Sequence, residues 1–272
     1  MPEISVFGQK LTIAHGLLHA RLTNATAALM LADRTLFIDG EAILLDKPAG
    51  LAVDPPRDGS RCLADYLEEL RFGFRRSPSA VHRLDRDTSG CLLLARHPKA
   101  HKRFAAAFEA GAVRKTYLAV LDGVPGEPSG SVDLPLNKIS SREAGWRMVP
   151  DPEGKRAVTA WRVLAEANGR ALVRFEPETG RTHQLRVHAA SGIGVPILGD
   201  PVYGNASGFR MLLHAASLRL EREGKEPIDA TAPLPLSFAN AGFGQVDLGQ
   251  MDLGQVDLGQ VDLGQVESGN AG

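Results

Sequence analysis

Apolar positions come in short runs bounded by turn residues, with few long helical periods between them. Thr35-Leu36-Phe37-Ile38 and Ala42-Ile43-Leu44-Leu45 flank Asp39-Gly40 and predict a hairpin. Ser60 is placed to cap a helix over 61–71, with Leu63, Tyr66, Leu67 and Leu70 on one face. The run Cys91-Leu92-Leu93-Leu94-Ala95 predicts a buried strand. A second helix fits between Pro98 in its first turn and Gly111 after its last. Its Ala100, Phe104, Ala107 and Phe108 face inward, and Lys99, Lys102 and Arg103 face outward. Residues 114–121 predict a strand ending at Asp122-Gly123, and the runs 157–164 and 170–175 flank the hairpin signal Asn168-Gly169. Residues 211–220 read as an extended core element, and the run 228–236 closes the fold at Pro233 and Pro235. Strands and helices mixed in this way predict an α/β (α+β) body on a mixed sheet.

Three segments stand outside that pattern. Residues 1–34, with Leu17, Leu18, Leu22 and Leu29 at helix-like spacing, predict an N-terminal extension packed on the body. The segment 124–156 holds five prolines and the bases Lys138, Arg142, Arg147, Lys155 and Arg156, which predicts a mobile, loop-rich connection with Trp146 as a stacking surface. From Gln245 the chain repeats QVDLG, QMDLG, QVDLG, QVDLG and QVESG. Isolated apolar residues with glycine every five positions cannot bury a core, so a disordered acidic tail is expected. The predicted organisation is an extension over 1–34, a catalytic domain over 35–240 and a tail over 241–272.

The tail also changes the charge picture. The chain has 31 Lys+Arg against 32 Asp+Glu, a net charge of −1. All five charges of 241–272 are acidic, so the first 240 residues sum to +4. A mildly basic body is compatible with a nucleic-acid partner. The two cysteines, Cys62 and Cys91, lie in apolar segments without CxxC spacing, which fits reduced core thiols of a cytoplasmic protein. Neither a signal-peptide pattern nor a membrane-length apolar run is evident in the sequence.

The chemistry concentrates in Val81-His82-Arg83-Leu84-Asp85-Arg86-Asp87-Thr88-Ser89-Gly90, a polar loop pinned to the 91–95 strand. A carboxylate between Arg83 and Arg86 is expected to stay ionised, since nearby cations favour the charged form. A structural salt-bridge loop is the competing reading. In Asp46-Lys47-Pro48-Ala49-Gly50 the turn residues leave Lys47 projecting as a surface lysine. In Gly180-Arg181-Thr182-His183-Gln184-Leu185-Arg186-Val187-His188, two arginines at a helix start predict an anion site. His183 and His188 have neither HExxH spacing nor a nearby third ligand, which argues against a metal.

HRLDRDTSG resembles the signature of the RluA-type family of RNA pseudouridine synthases. DKPAG, Lys115-Thr116-Tyr117-Leu118-Ala119, GRTHQLRVH and the stretch 194–204 are similar to further motifs of that family. The resemblance spans about residues 35–236. It implies a bent, largely antiparallel mixed sheet with flanking helices and a central catalytic cleft. Many members carry a ribosomal-protein-like RNA-binding module at the N-terminus, for which residues 1–34 look too short. The implied reaction detaches uracil from ribose, rotates it and rejoins it through carbon, so no redox cofactor, nucleotide cofactor or metal is required.

By the same resemblance Asp85 is the catalytic aspartate, Arg186 its partner and Tyr117 the ring that stacks on the target base. Asp85 would attack the base or the sugar, or remove a sugar proton; the residues leave these open. Arg83 is the candidate to fill the space of a flipped nucleotide, Arg181 a further substrate contact and Leu198 the apolar floor. The implied partner is ribosomal or transfer RNA, bound by a monomer without a membrane. The alternatives are a non-catalytic RNA-binding or ribosome-assembly protein on the same fold, and a base-releasing glycosidase with Asp87 as second acid.

Overall fold

The short apolar runs do become strands, and they join into one bent sheet. The computed structural model describes residues 31–141 and 145–244; the helical reading of the N-terminal extension, Arg142 and the repeats from Gln245 fall outside them. The strands are β1 (Thr35–Ile38), β2 (Ala42–Lys47), β3 (Ser79–Ala80), β4 (Ser89–Ala95), β5 (Val113–Leu121) and β6 (Ser129–Asp133). They continue with β7 (Leu136–Ser141), β8 (Gly145–Pro150), β9 (Val158–Ala167), β10 (Arg170–Pro177), β11 (Leu213–Arg222) and β12 (Lys225–Thr231). The helices are α1 (Pro98–Glu109), the short α2 (Gln184–Val187) running into π-helical turns at His188–Ile193, and α3 (Leu236–Phe238). The main sheet runs β1-β2-β4-β11-β5-β10-β9-β6, with β3 added beside β4 and β12 beside β11. Its pairings are antiparallel except β4 with β11.

Burial explains the choice of residues. β2 and β4 are buried along their whole length, so both read as continuous apolar runs rather than alternating ones. In β5 the period of two is visible. Ala119 and Leu121 join the cluster of Leu185, Ile197 and Leu213, while Leu118 and Val120 join that of Leu198, Phe238 and Phe243 on the other face. Gly90 opens the parallel pairing of β4 with β11. Its φ is 101°, and a Cβ there would collide with the Ala215 carbonyl, so the loop carrying Asp85 meets β11 only through a glycine.

Three expectations change. The 61–71 helix is two 3₁₀ turns, Leu63–Tyr66 and Glu69–Arg71, and its first cap is formed by Asp65, which accepts the Cys62 N–H at 2.8 Å. Buried Leu63 and Tyr66 are three apart, a spacing that serves a 3₁₀ turn as well as an α-helix. The Ser60 hydroxyl bonds to Asp58 instead. The 124–156 segment contains β6, β7 and β8, and β7 with β8 forms a separate hairpin. That hairpin is mostly exposed, so its sequence lacks the apolar alternation that would reveal it.

The boundaries also move. Leu31 is buried in the core, and Arg34 pairs with Asp46 at 2.6 Å, so the packed body includes part of the predicted extension. At the other end Ala241 and Phe243 are buried beside Phe238, past the predicted close at Pro233 and Pro235. A chain ending at residue 240 should therefore lose about 3 kcal/mol of stability, the scale of removing a core aromatic. From the composition of the repeats, a chain ending at Gly244 should keep the parental thermal midpoint. Melting curves of the two truncations beside the full chain check both expectations.

Candidate active site

The HRLD loop joins β3 to β4 and is fastened from below. His82 Nε2 accepts the Leu93 N–H at 3.0 Å, and its ring stacks on Phe108 with centroids 4.4 Å apart. Burial pushes its pKa down to about 3, so His82 is a neutral structural group. Lys47 is not the surface lysine its turn suggested: it is fully buried. Its Nζ donates to the carbonyls of Pro48 (2.9 Å), Leu51 (2.8 Å) and Arg86 (3.1 Å). Burial pushes Lys47 down to about 8, opposed by the charges of Asp87 and Asp85. Three carbonyl acceptors match the three protons of an ammonium, so Lys47 is a charged clip between the DKPAG turn and the HRLD loop. Lys47→Met leaves these acceptors unsatisfied and should cost about 3 kcal/mol, read as a fall in thermal midpoint.

Asp85 is not held by its neighbours in sequence. Arg83 pairs with Asp54 at 3.1 Å and Arg86 with Asp58 at 2.9 Å. The partner of Asp85 comes from α2: Arg186 Nη1 lies 3.0 Å from Asp85 Oδ2. The rest of that guanidinium is spent on Asp200, with Nε to Oδ2 at 2.7 Å and Nη2 to Oδ1 at 2.8 Å. Asp200 has no exposed side-chain surface and also accepts the N–H groups of Val202 and Tyr203. Burial disfavours the Arg186 cation, but the Asp200 and Asp85 carboxylates outweigh it and raise its pKa. Of the two arginines predicted to form an anion site, Arg186 is thus occupied by the protein's own two carboxylates, and α2 is only four residues long.

These groups border a cavity of about 900 Å³ lined by Arg83, Asp85, Tyr117, Arg181, Arg186 and Leu213 among others. Tyr117 sits on the sheet face shared with Leu213, and burial above all raises its phenol pKa, keeping it neutral. Arg181 is at the rim, its Nε donating to the Arg156 carbonyl at 3.0 Å. Leu198 is a correction. It is fully buried on the opposite face of the sheet with Leu118 and Val120, so the apolar floor is Leu213 with Leu84 and Leu185. Five of the six expected residues therefore meet at one cavity. The residues to which the sequence assigned no role at this site are Asp200, His183, Tyr203 and Lys115. The stretch Gly199-Asp200-Pro201-Val202-Tyr203 was visible, but nothing local in it signals a partner for an arginine fourteen positions earlier.

With this geometry in view, comparison with known proteins is specific. The profile described as RNA pseudouridylate synthase matches residues 41–191. An uncharacterized RNA pseudouridine synthase of Zymomonas mobilis is 60% identical over 217 residues, covering 79% of this chain and 99% of that one. The ribosomal large subunit pseudouridine synthase D of the same species is 37% identical over 201 residues, covering 67% of this chain and 63% of that protein. Among solved structures, human RNA pseudouridylate synthase domain containing 4 superposes with a TM-score of 0.68 at 27% identity, covering 81% of this chain and 96% of that one. The chain belongs to the RNA pseudouridine synthase family, of the RluA type. The activity of that family is isomerisation of uridine to pseudouridine in RNA. Among the described residues no helix is long and apolar enough to cross a membrane.

Proposed function

We propose that the chain isomerises uridines of ribosomal RNA, with Asp85 as the reacting group. Transfer RNA is the other substrate class. The bond from ribose to the uracil nitrogen breaks, the base turns within the cavity, and a bond from ribose to the ring carbon forms. That carbon gives up a proton and the freed nitrogen takes one, so the atoms balance without a co-reactant. Asp85 initiates cleavage. Arg186 aims the carboxylate and meets its charge, Tyr117 stacks on the extruded uracil, and Arg83 and Arg181 contact the strand from the rim. Unstacking the uridine costs about a few kcal/mol, and Arg83, with its side chain 77% exposed, has the reach to fill the vacated space.

The observation that carries this reading is the carboxylate of Asp85. It is 27% exposed at the cavity, 3.0 Å from a guanidinium that is itself anchored by a fully buried second carboxylate. A non-catalytic relative has no need to retain the acid, the arginine and the tyrosine around one cavity. For a glycosidase, Asp87 would have to reach the cavity as second acid, and it is not among the lining residues. The large-subunit name of one relative supports ribosomal RNA, and the two free, buried cysteines suit the reducing cytoplasm. Pseudouridine mapping of cellular RNA with and without the protein tests the reading. Loss of defined ribosomal positions is expected; release of free uracil, or unchanged RNA, would remove it.

A further inference from the structure

His183 lies beside Asp85, yet the reaction as described gives it no part. It precedes α2 with φ 54°, a left-handed conformation that side chains other than glycine seldom adopt. Contacts from two other elements hold it there. Trp146 of β8 stacks on its ring, with centroids 4.9 Å apart and planes 30° apart, and Tyr203 meets the ring edge-on at 5.6 Å. His183 Nδ1 is 2.9 Å from the Tyr203 hydroxyl, and that hydroxyl also accepts the Met148 N–H at 2.9 Å. Already accepting from the backbone, the hydroxyl has its own proton to give to Nδ1. The imidazole proton then sits on Nε2, and Nε2 is 3.8 Å from Asp85 Oδ2.

The charges around the ring agree. Burial dominates and lowers the His183 pKa; Asp85 and Asp200 oppose that effect, whereas Arg186 and Arg83 reinforce it. Among the described residues the Tyr203 hydroxyl is bonded to the ring, and Lys138 reaches Trp146, with Nζ 5.4 Å from its centroid. At neutral pH the ring is an uncharged donor.

We propose that His183 is a positioning residue for Asp85. Its Nε2–H closes on Oδ2 when RNA enters, and the β7–β8 hairpin fixes its tautomer and aim through Trp146 and the Met148 N–H. The proposal rests on Asp85 being the reacting group. A separation of 3.8 Å is too long for a hydrogen bond, but hydrogen bonds in empty active sites commonly tighten only around the substrate. Both donors, Arg186 and His183, face the same oxygen, which leaves Oδ1 for the substrate. The hairpin, whose sequence reads as a loop, thereby becomes part of the active site.

The test pairs two substitutions. His183→Phe keeps a ring beneath Trp146 and removes the donor; His183→Gln loses the ring and keeps an N–H where Nε2 was. With RNA binding within about 3-fold of the parent, His183→Phe should slow single turnover at saturating enzyme by about 30-fold, and His183→Gln should recover most of that loss. An undiminished His183→Phe, or a His183→Gln equally slow, overturns the proposal. A second measurement needs neither turnover nor a folded His183→Phe: imidazole titration by NMR, with the His183 signals identified by their absence in His183→Gln. Asp85→Asn should lower the His183 pKa, because the carboxylate that raises it is gone. An unmoved titration overturns the coupling. An inactive parent would remove the proposed function, and the titration would still decide whether His183 and Asp85 are coupled.

Discussion

Asp85→Asn should fold, bind RNA with parental affinity and form no pseudouridine. The amide has the shape of the carboxylate, and its oxygen can still accept the Arg186 N–H. What it lacks is the negative charge needed to attack or to take a proton. Folding should survive because Arg186 keeps its bidentate pairing with the buried Asp200, so no cation is left without a counter-charge. The expected fall in single-turnover rate is at least about 10⁴-fold, the scale seen when a reacting group is removed from a preorganised site. Pseudouridine formed per enzyme, measured beside a binding titration and a melting curve, checks all three statements. Turnover by the pure variant within about 100-fold of the parent would show that Asp85 is not the reacting group.

The parts of this site legible in the sequence are those where chemistry and local wording coincide. Asp85, Tyr117 and Arg186 each stand in a contiguous motif, and β4 and β5 beside them are apolar enough to be read as strands directly. The parts that stay hidden depend on contacts between distant segments. Arg83 and Arg86 flank Asp85 along the chain, yet the loop turns them to Asp54 and Asp58, and the cation that reaches Asp85 lies 101 positions away. Lys47 looks exposed because it adjoins a Pro-Gly turn; its burial follows from three carbonyls, one of them contributed by the HRLD loop. Leu198 falls on the face away from the cavity because the side of a sheet depends on pairing register, which a loop residue before β11 does not carry. The β7–β8 hairpin reads as loop because exposed strands bury too little to leave a period-two signature.

Chemistry and RNA grip should separate cleanly at Arg186. Its three paired nitrogens all go to Asp85 and Asp200, so it contributes little to phosphate binding. Lys102, Arg75 and Arg76 are exposed and suited to phosphates; Arg103, which the outward face of α1 also suggested, pairs with Glu41 at 2.5 Å and is a poorer candidate. Removing Arg186 carries a structural penalty as well: Arg186→Met strands the Asp200 carboxylate in the core, at about 3–5 kcal/mol. Adding Asp200→Asn removes that stranded charge. The double variant should therefore regain much of the lost thermal stability while turnover stays at least about 100-fold down, since the guanidinium paired with Asp85 is gone. Its salt dependence of RNA binding should match the parent, whereas neutralising Lys102, Arg75 and Arg76 should flatten that dependence by about one unit of slope for each phosphate left without its cation. Titrations at several salt concentrations beside single-turnover rates at saturating enzyme separate the two effects. If the double variant bound RNA poorly but reacted at the parental rate once saturated, Arg186 would be a phosphate contact. The aiming role would then pass to Arg181 at the rim.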